Sequence, residues 1–348
     1  MKRIILLSLL ILYLIPVNIS AQEIINNYIV MDMDSKRIIA EQRGEEKIYP
    51  ASTTKIMTAI VAIENSSPEE VVKIGNEILI ADGTNIYVEP GENMLLNDLL
   101  YGMMLRSGND AALALANHTG GSVENFVKLM NEKAKELDLK NTNFENPTGL
   151  DDTTKNTSSV HDLALIYSYA YQKKIFRDIV KTKRYKTSSD KKSYYFKNRT
   201  EILERYNKAT GGKTGYTPKA GRLLVSSASN NDLNLVIASQ GNTYGYNNHI
   251  SMYENAFKKY KNYLILDKNS FNYKTNLKGK LYIKNSFIYP LTKEEKDKIS
   301  KKIIFNNKKK GEVGELLIYI DKDLIHKEKV YLQVAQETFF QKLKKLFK

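Results

Sequence analysis

Two near-continuous apolar runs, Leu223-Leu224-Val225-Ser226-Ser227-Ala228 and Leu233-Asn234-Leu235-Val236-Ile237-Ala238, constrain the fold most. Runs of this kind suit strands covered on both faces, and Asn230-Asn231-Asp232 between them suits the turn of a hairpin. A second hairpin is read much earlier, from Tyr28-Ile29-Val30-Met31 to Arg37-Ile38-Ile39-Ala40 around Asp34-Ser35-Lys36. The chain between is helical in pattern. Apolar periodicity runs from Ser52 to Ile63 and over 95–105, 110–117, 122–139 and 159–171, the last opened by a Ser159-x-x-Asp162 capping box. A further helix is expected over 250–263. Strands at both ends with helices between predict an α+β domain. With 42% hydrophobic and 26% charged residues, the chain is neither disordered nor collagen-like.

Composition changes near 264–275, where Asp267-Lys268-Asn269-Ser270 reads as a linker. Beyond it, short β-rich pieces recur at Leu281-Tyr282-Ile283, Phe287-Ile288-Tyr289, Ile303-Ile304-Phe305, 316–320 and 330–334, which predicts a small all-β domain. The expected division is a signal peptide over 1–21, a main domain over 22–265, a β-rich domain over 270–334 and a basic amphipathic helix over 335–348. Met1-Lys2-Arg3, an apolar stretch from Ile4 to Ile15 and Ala21 form the three parts of a secretory signal, too short to span a bilayer. Export places the protein at the outer face of the cytoplasmic membrane, in a periplasm or in the cell wall, where ATP and NAD chemistry is not expected. At the other end Phe339, Leu343, Leu346 and Phe347 share one helical face opposite Lys342, Lys344, Lys345 and Lys348, a pattern suited to an anionic membrane surface.

The formal charge is +14, and from Lys258 onward 23 Lys and Arg stand against 10 Asp and Glu. The earlier three quarters are nearly neutral. This placement argues against a nucleic-acid enzyme, whose basic residues should line its working groove. There are no cysteines, so a disulfide framework, a Cys nucleophile and a thiolate zinc site are excluded. The four histidines, His118, His161, His249 and His326, show no ligand spacing and no HExxH, so neither a metal nor an organic cofactor is expected.

Three short motifs carry the chemistry: Ser52-Thr53-Thr54-Lys55, Ser107-Gly108-Asn109 and Lys213-Thr214-Gly215, separated by residues 56–106 and 110–212. Other S-x-x-K matches, at Ser188 and Ser189, fall in a polar stretch and read as a solvated loop. A serine hydroxyl needs a base, and residues three apart on a helix share a face, so the Lys55 amine can reach the Ser52 hydroxyl. An apolar helix and a second lysine, Lys213, should lower its proton affinity. Ser107 can relay a proton towards a leaving amine, and Asn109 can hold a substrate amide. Lys213 and Thr214 suit a terminal carboxylate, and Gly215 lets a substrate backbone lie against its strand.

This ordered triple is a signature of β-lactamases and penicillin-binding proteins. The segments 49–58, 104–112, Asn146-Pro147-Thr148-Gly149-Leu150 and 212–217 resemble low-molecular-mass penicillin-binding proteins, the serine D-alanyl-D-alanine carboxypeptidases of the S11 type. The resemblance covers roughly 25–265. It implies a β-lactamase/transpeptidase-like domain, an antiparallel sheet flanked by helical clusters, followed by the β-rich domain and tail. It implies catalytic Ser52, Lys55, Ser107, Asn109 and Lys213, substrate-binding Thr214, Gly215 and Tyr216, and an oxyanion hole from the N–H groups of Ser52 and Tyr216. It also implies peptidoglycan stem peptides ending in D-Ala-D-Ala as substrates, and β-lactam antibiotics as acylating inhibitors. A class A-like β-lactamase stays open as an alternative, although no E-x-x-L-N pattern lies between Asn109 and Lys213 and Glu145 lacks that context. A DD-endopeptidase and a non-catalytic wall-binding protein remain open too.

Overall fold

The computed structural model describes residues 24–151, 156–275, 277, 279–306, 308 and 310–333. The signal-peptide and amphipathic-helix readings fall outside the described residues. Along the chain come β1 (Ile25–Asp32), β2 (Ile38–Gln42), α1 (Lys55–Asn65), β3 (Val71–Lys73), β4 (Asn93–Leu95), α2 (Leu96–Tyr101), α3 (Asn109–Gly120), α4 (Val123–Glu136), α5 (Val160–Ala170) and α6 (Lys174–Val180). Next are β5 (Arg184–Ser188), β6 (Ser193–Lys197), α7 (Ile202–Arg205), β7 (Ala209–Thr217), β8 (Gly221–Asn230), β9 (Leu233–Gly241) and α8 (Tyr246–Lys259). The described elements end with β10 (Lys261–Leu266), β11 (Lys280–Ile283), β12 (Phe287–Leu291), α9 (Lys293–Lys296), β13 (Ile299–Phe305), β14 (Gly311–Ile320) and β15 (Asp323–Gln333).

The two hairpins read from sequence join in one antiparallel sheet ordered β2-β1-β9-β8-β7. β1 runs antiparallel to β9, with Ile29 opposite Ala238, so the chain's beginning closes onto a hairpin two hundred residues later. Both faces are covered, which explains the lack of polar alternation. Ile29, Met31, Leu223, Val225, Val236 and Ala238 face the larger helical core. Val30, Leu224, Leu235 and Ile237 face Tyr253 and Phe257 of α8. His249 of α8 is fully buried between the hydroxyls of Ser226 (2.8 Å) and Ser239 (2.7 Å). Burial drives its pKa down to about 3, so it is a neutral bolt between helix and sheet.

Ser159 caps α5 by accepting from the Asp162 N–H at 3.0 Å, but the Asp162 carboxylate turns to the Asn141 N–H (2.8 Å) and the Thr142 hydroxyl (2.7 Å). The last expected helix lies earlier than read. It ends at Lys259, and 261–266 become β10, paired with β12, because Tyr263-Leu264-Ile265-Leu266 prefers an extended chain. The polar stretch with the extra S-x-x-K matches is no free loop. It is the turn of the β5–β6 hairpin, with Lys191 donating to the Pro90 carbonyl and Lys192 to the Tyr87 carbonyl. After 275 a four-stranded sheet, β11-β15-β14-β13, closes on its own core of Leu281, Ile283, Val313, Leu316, Ile318, Val330 and Leu332. Among the described residues no helix is long and apolar enough to cross a membrane. The architecture is α+β, a transpeptidase-like fold with an added β domain.

Candidate active site

Ser52 sits in a short 3-10 turn, Ala51–Thr54, that runs directly into α1. The residue before it, Ala51, holds a left-handed φ of 46° and is completely buried. A non-glycine residue in that region stores strain, which surrounding packing must hold in place. Here it turns the Ser52 side chain out of the core while Lys55, the first residue of α1, points inward. The Lys55 Nζ lies 3.1 Å from Ser52 Oγ, 2.6 Å from Asn109 Oδ1 and 2.6 Å from the Thr148 carbonyl. The last two partners are acceptors only. A neutral amine has two hydrogens for them and one lone pair, which then faces the hydroxyl hydrogen of Ser52. Burial pushes the Lys55 pKa well below its ordinary value, helped by the positive charges of Lys213 and Arg199 and opposed by Asp110.

The second motif lies at a helix junction. The segment Gly102–Arg106 continues α2 as a π-helical turn, and Ser107 ends it in the left-handed conformation with φ 66°. That backbone reversal sends the Ser107 hydroxyl to Lys213, whose Nζ donates to it at 3.0 Å and to the Thr214 carbonyl at 2.8 Å. Lys213 is buried, and burial with the nearby Arg199 charge lowers its pKa to about 7. Asn109, expected to hold a substrate amide, is also bound within the site. Its Oδ1 accepts from Lys55 and its Nδ2 donates to the Asp82 carbonyl at 2.5 Å, so it first fixes the lysine.

The third motif lies on β7, the edge of the central sheet. A side chain at Gly215 would sit 3.2 Å from the Ser52 nitrogen and 3.2 Å from the Pro50 carbonyl, so glycine lets this strand pass close to Ser52. A cavity of about 170 Å³ collects Ser52, Ser107, Thr214, Gly215 and Tyr216 from the three motifs. Tyr216 is half exposed on its rim. Every candidate site residue read from sequence therefore lies in, or bonds into, one cluster.

Several contributors carried no motif. Thr84, Arg199, Arg222 and Tyr244 line the same cavity. The Arg222 guanidinium lies 4.7 Å from the Tyr216 ring centre and 5.0 Å from that of Tyr244, and no carboxylate pairs with it among the described residues. Arg222 is opposite Tyr216 in the β7–β8 register, a relation visible only once the strands are paired. Asn146-Pro147-Thr148-Gly149-Leu150, known from sequence only by resemblance, forms a tight turn. Asn146 Oδ1 accepts from the N–H groups of Thr148 (3.0 Å) and Gly149 (2.7 Å), which aims the Thr148 carbonyl at Lys55.

A family model described as D-alanyl-D-alanine carboxypeptidase matches residues 16–242. The chain belongs to this family. D-alanyl-D-alanine carboxypeptidase DacF of Bacillus subtilis is 33% identical over 215 residues, covering 60% of this chain and 55% of that protein. DacB2 of Mycobacterium tuberculosis, another family member, is 35% identical over 212 residues, covering 61% and 72%. In structure, penicillin binding protein 5 from Haemophilus influenzae superposes with a TM-score of 0.77 at 25% identity, covering 90% of this chain and 98% of that one. The match thus spans little more than half the length of the Bacillus relative.

Proposed function

We propose that this chain is an exported serine DD-carboxypeptidase that removes the terminal D-alanine from peptidoglycan pentapeptide stems. The contact of Lys55 Nζ with Ser52 Oγ, Asn109 Oδ1 and the Thr148 carbonyl carries this reading, because it presents a lone pair to the serine proton. Ser52 Oγ loses that proton to Lys55 and attacks the carbonyl of the penultimate D-alanine. The Ser52 and Tyr216 N–H groups stabilise the oxyanion. As the C–N bond breaks, the proton taken up by Lys55 passes through Ser107, which Lys213 holds in place, to the departing amine, and Lys55 is left neutral. Lys213, Thr214 and the cationic Arg222 receive the terminal carboxylate. Water then attacks the Ser52 ester, with Lys55 again as base, and releases the shortened stem.

Penicillins enter the same reading as acylating inhibitors. The relatives' names and the penicillin-binding protein neighbour support it. Glu145, the acid weighed as a β-lactamase base, is exposed, and among the described residues none lining the cavity is acidic. This supports a long-lived penicilloyl ester over rapid antibiotic hydrolysis. The direct Ser52–Lys55 contact likewise favours catalysis over passive wall binding. The leader over 1–21, catalytic domain over 22–265, β-rich domain over 270–334 and membrane-facing helix over 335–348 belong to the same proposal, as does action outside the cytoplasmic membrane. Liberated D-alanine tests it: the wild type should release one equivalent from a pentapeptide ending in D-Ala-D-Ala, and Ser52→Ala none. Release by the mutant at the wild-type rate overturns the assignment.

A further inference from the structure

Asp110 follows Asn109 directly, in the first turn of α3, and is 3% exposed. No cation pairs with it among the described residues. Its carboxylate is instead spent on backbone. Oδ2 accepts from the N–H groups of Ile86 (3.0 Å), Tyr87 (2.6 Å) and Val88 (3.2 Å), while Oδ1 accepts from Ile86 (3.0 Å) and Ala111 (2.8 Å). Three consecutive amides wrapped round one anion make a nest. The segment they belong to, 81–90, has no regular secondary structure, so its amides have no ladder to return to. Tyr87 holds a left-handed φ of 64° with its ring largely exposed, a conformation that needs an external anchor. The same segment reaches the cleft. Its Thr84 carbonyl accepts from the Asn109 N–H at 2.7 Å, and the Thr84 hydroxyl accepts from Arg199 at 3.0 Å.

We propose that Asp110 is a positioning residue, which clamps 82–88 against α3 and so holds the cleft wall that carries Thr84 and seats Arg199. Substrate binding depends on that wall; bond cleavage at Ser52 does not pass through Asp110. This inference rests on the carboxypeptidase reading. Asp110 also adds negative charge near Lys55 and raises its proton affinity against the effect of burial. A purely structural residue would leave that second signature untouched.

The test uses the full chain with Asp110→Ala and Asp110→Asn, D-alanine release from a D-Ala-D-Ala peptide, and local amide hydrogen exchange. Asp110→Ala removes every acceptor; Asp110→Asn keeps the shape and one acceptor oxygen but loses the charge. In both, KM should rise about tenfold or more while kcat changes by less than about threefold. The amides of 86–88 should exchange faster, with the helices unchanged. The acid limb of the rate profile should move to lower pH, because Lys55 then gives up its proton more readily. Unchanged exchange at 86–88, or a loss confined to kcat, overturns the proposal. If Asp110→Ala does not fold, Asp110→Asn decides by the same readouts. A wild type that releases no D-alanine sinks the carboxypeptidase reading instead, and hydrogen exchange still decides the clamp.

Discussion

At the scale of single residues, the site is a contest over the charge of two buried amines. In the proposed reaction Lys55 can serve as a base only while neutral, and its burial with Lys213 and Arg199 favours that state. A lowered pKa means that the base is lost when pH falls through it, so activity should fade on the acid side. Arg199 lowers both lysines. Arg199→Gln should therefore raise both pKa values and move the acid limb of kcat/KM to higher pH, opposite to the shift expected for Asp110→Asn. An unmoved limb in a pH–rate profile would show that Arg199 does not act through Lys55. Ser52, Lys55 and Lys213 were legible in sequence, because short motifs with fixed chemistry survive without context. Arg199, Arg222 and Asp110 were not, since their roles come from strand register and backbone amides that no local spacing encodes.

At the scale of elements, the turn at 146–150 shows how a backbone atom becomes part of a site. Gly149 holds a φ of 87°, and a Cβ there would fall 1.8 Å from the Ala51 carbonyl. No side-chain movement relaxes that clash, because the atoms met belong to the Ala51 backbone, next to Ser52. Gly149→Ala should cost about 2 kcal/mol or more of stability, measured by chemical denaturation, and should slow acylation by displacing the Thr148 carbonyl from Lys55. A stable, fully active variant would mean that this turn does not hold the lysine. Element types were mostly readable from periodicity, as the buried β8–β9 hairpin and α4 illustrate. The β5–β6 hairpin was missed because its strands, Arg184–Ser188 and Ser193–Lys197, are only five residues each around a polar, Lys-rich turn, although Tyr194 and Phe196 join the larger core and Lys192 of the turn reaches the Tyr87 carbonyl of a distant loop. Ser107 was read as a motif, but nothing in its neighbours announced the π-turn that aims it.

At the scale of the whole molecule, one arginine ties the central sheet to the β-rich region. Arg37, just after the first turn, bonds to the Pro290 carbonyl and the Glu295 carboxylate, and lies 5.1 Å from the ring centres of both Tyr260 and Tyr289. Its side chain is only 12% exposed, so the contact is not screened as a surface ion pair would be. Arg37→Ala should cost about 1–2 kcal/mol at that junction and increase proteolytic cutting near 264–275, with D-alanine release retained. Unaltered cutting would show that the β10–β12 pairing holds the junction without Arg37. A sequence read piece by piece suggests two regions but not the side chain that couples them. The larger claim is that segments around 52, 107, 148 and 213 converge to make one serine acylable. Peptide mapping by mass spectrometry after exposure to benzylpenicillin tests it most directly, on the wild type and on folded Lys55→Arg, which keeps a cation but loses the usable lone pair. A single penicilloyl group on Ser52 in the wild type, and none in the variant over the same time, is the expected result; an adduct elsewhere, or equal labelling of the two proteins, contradicts it.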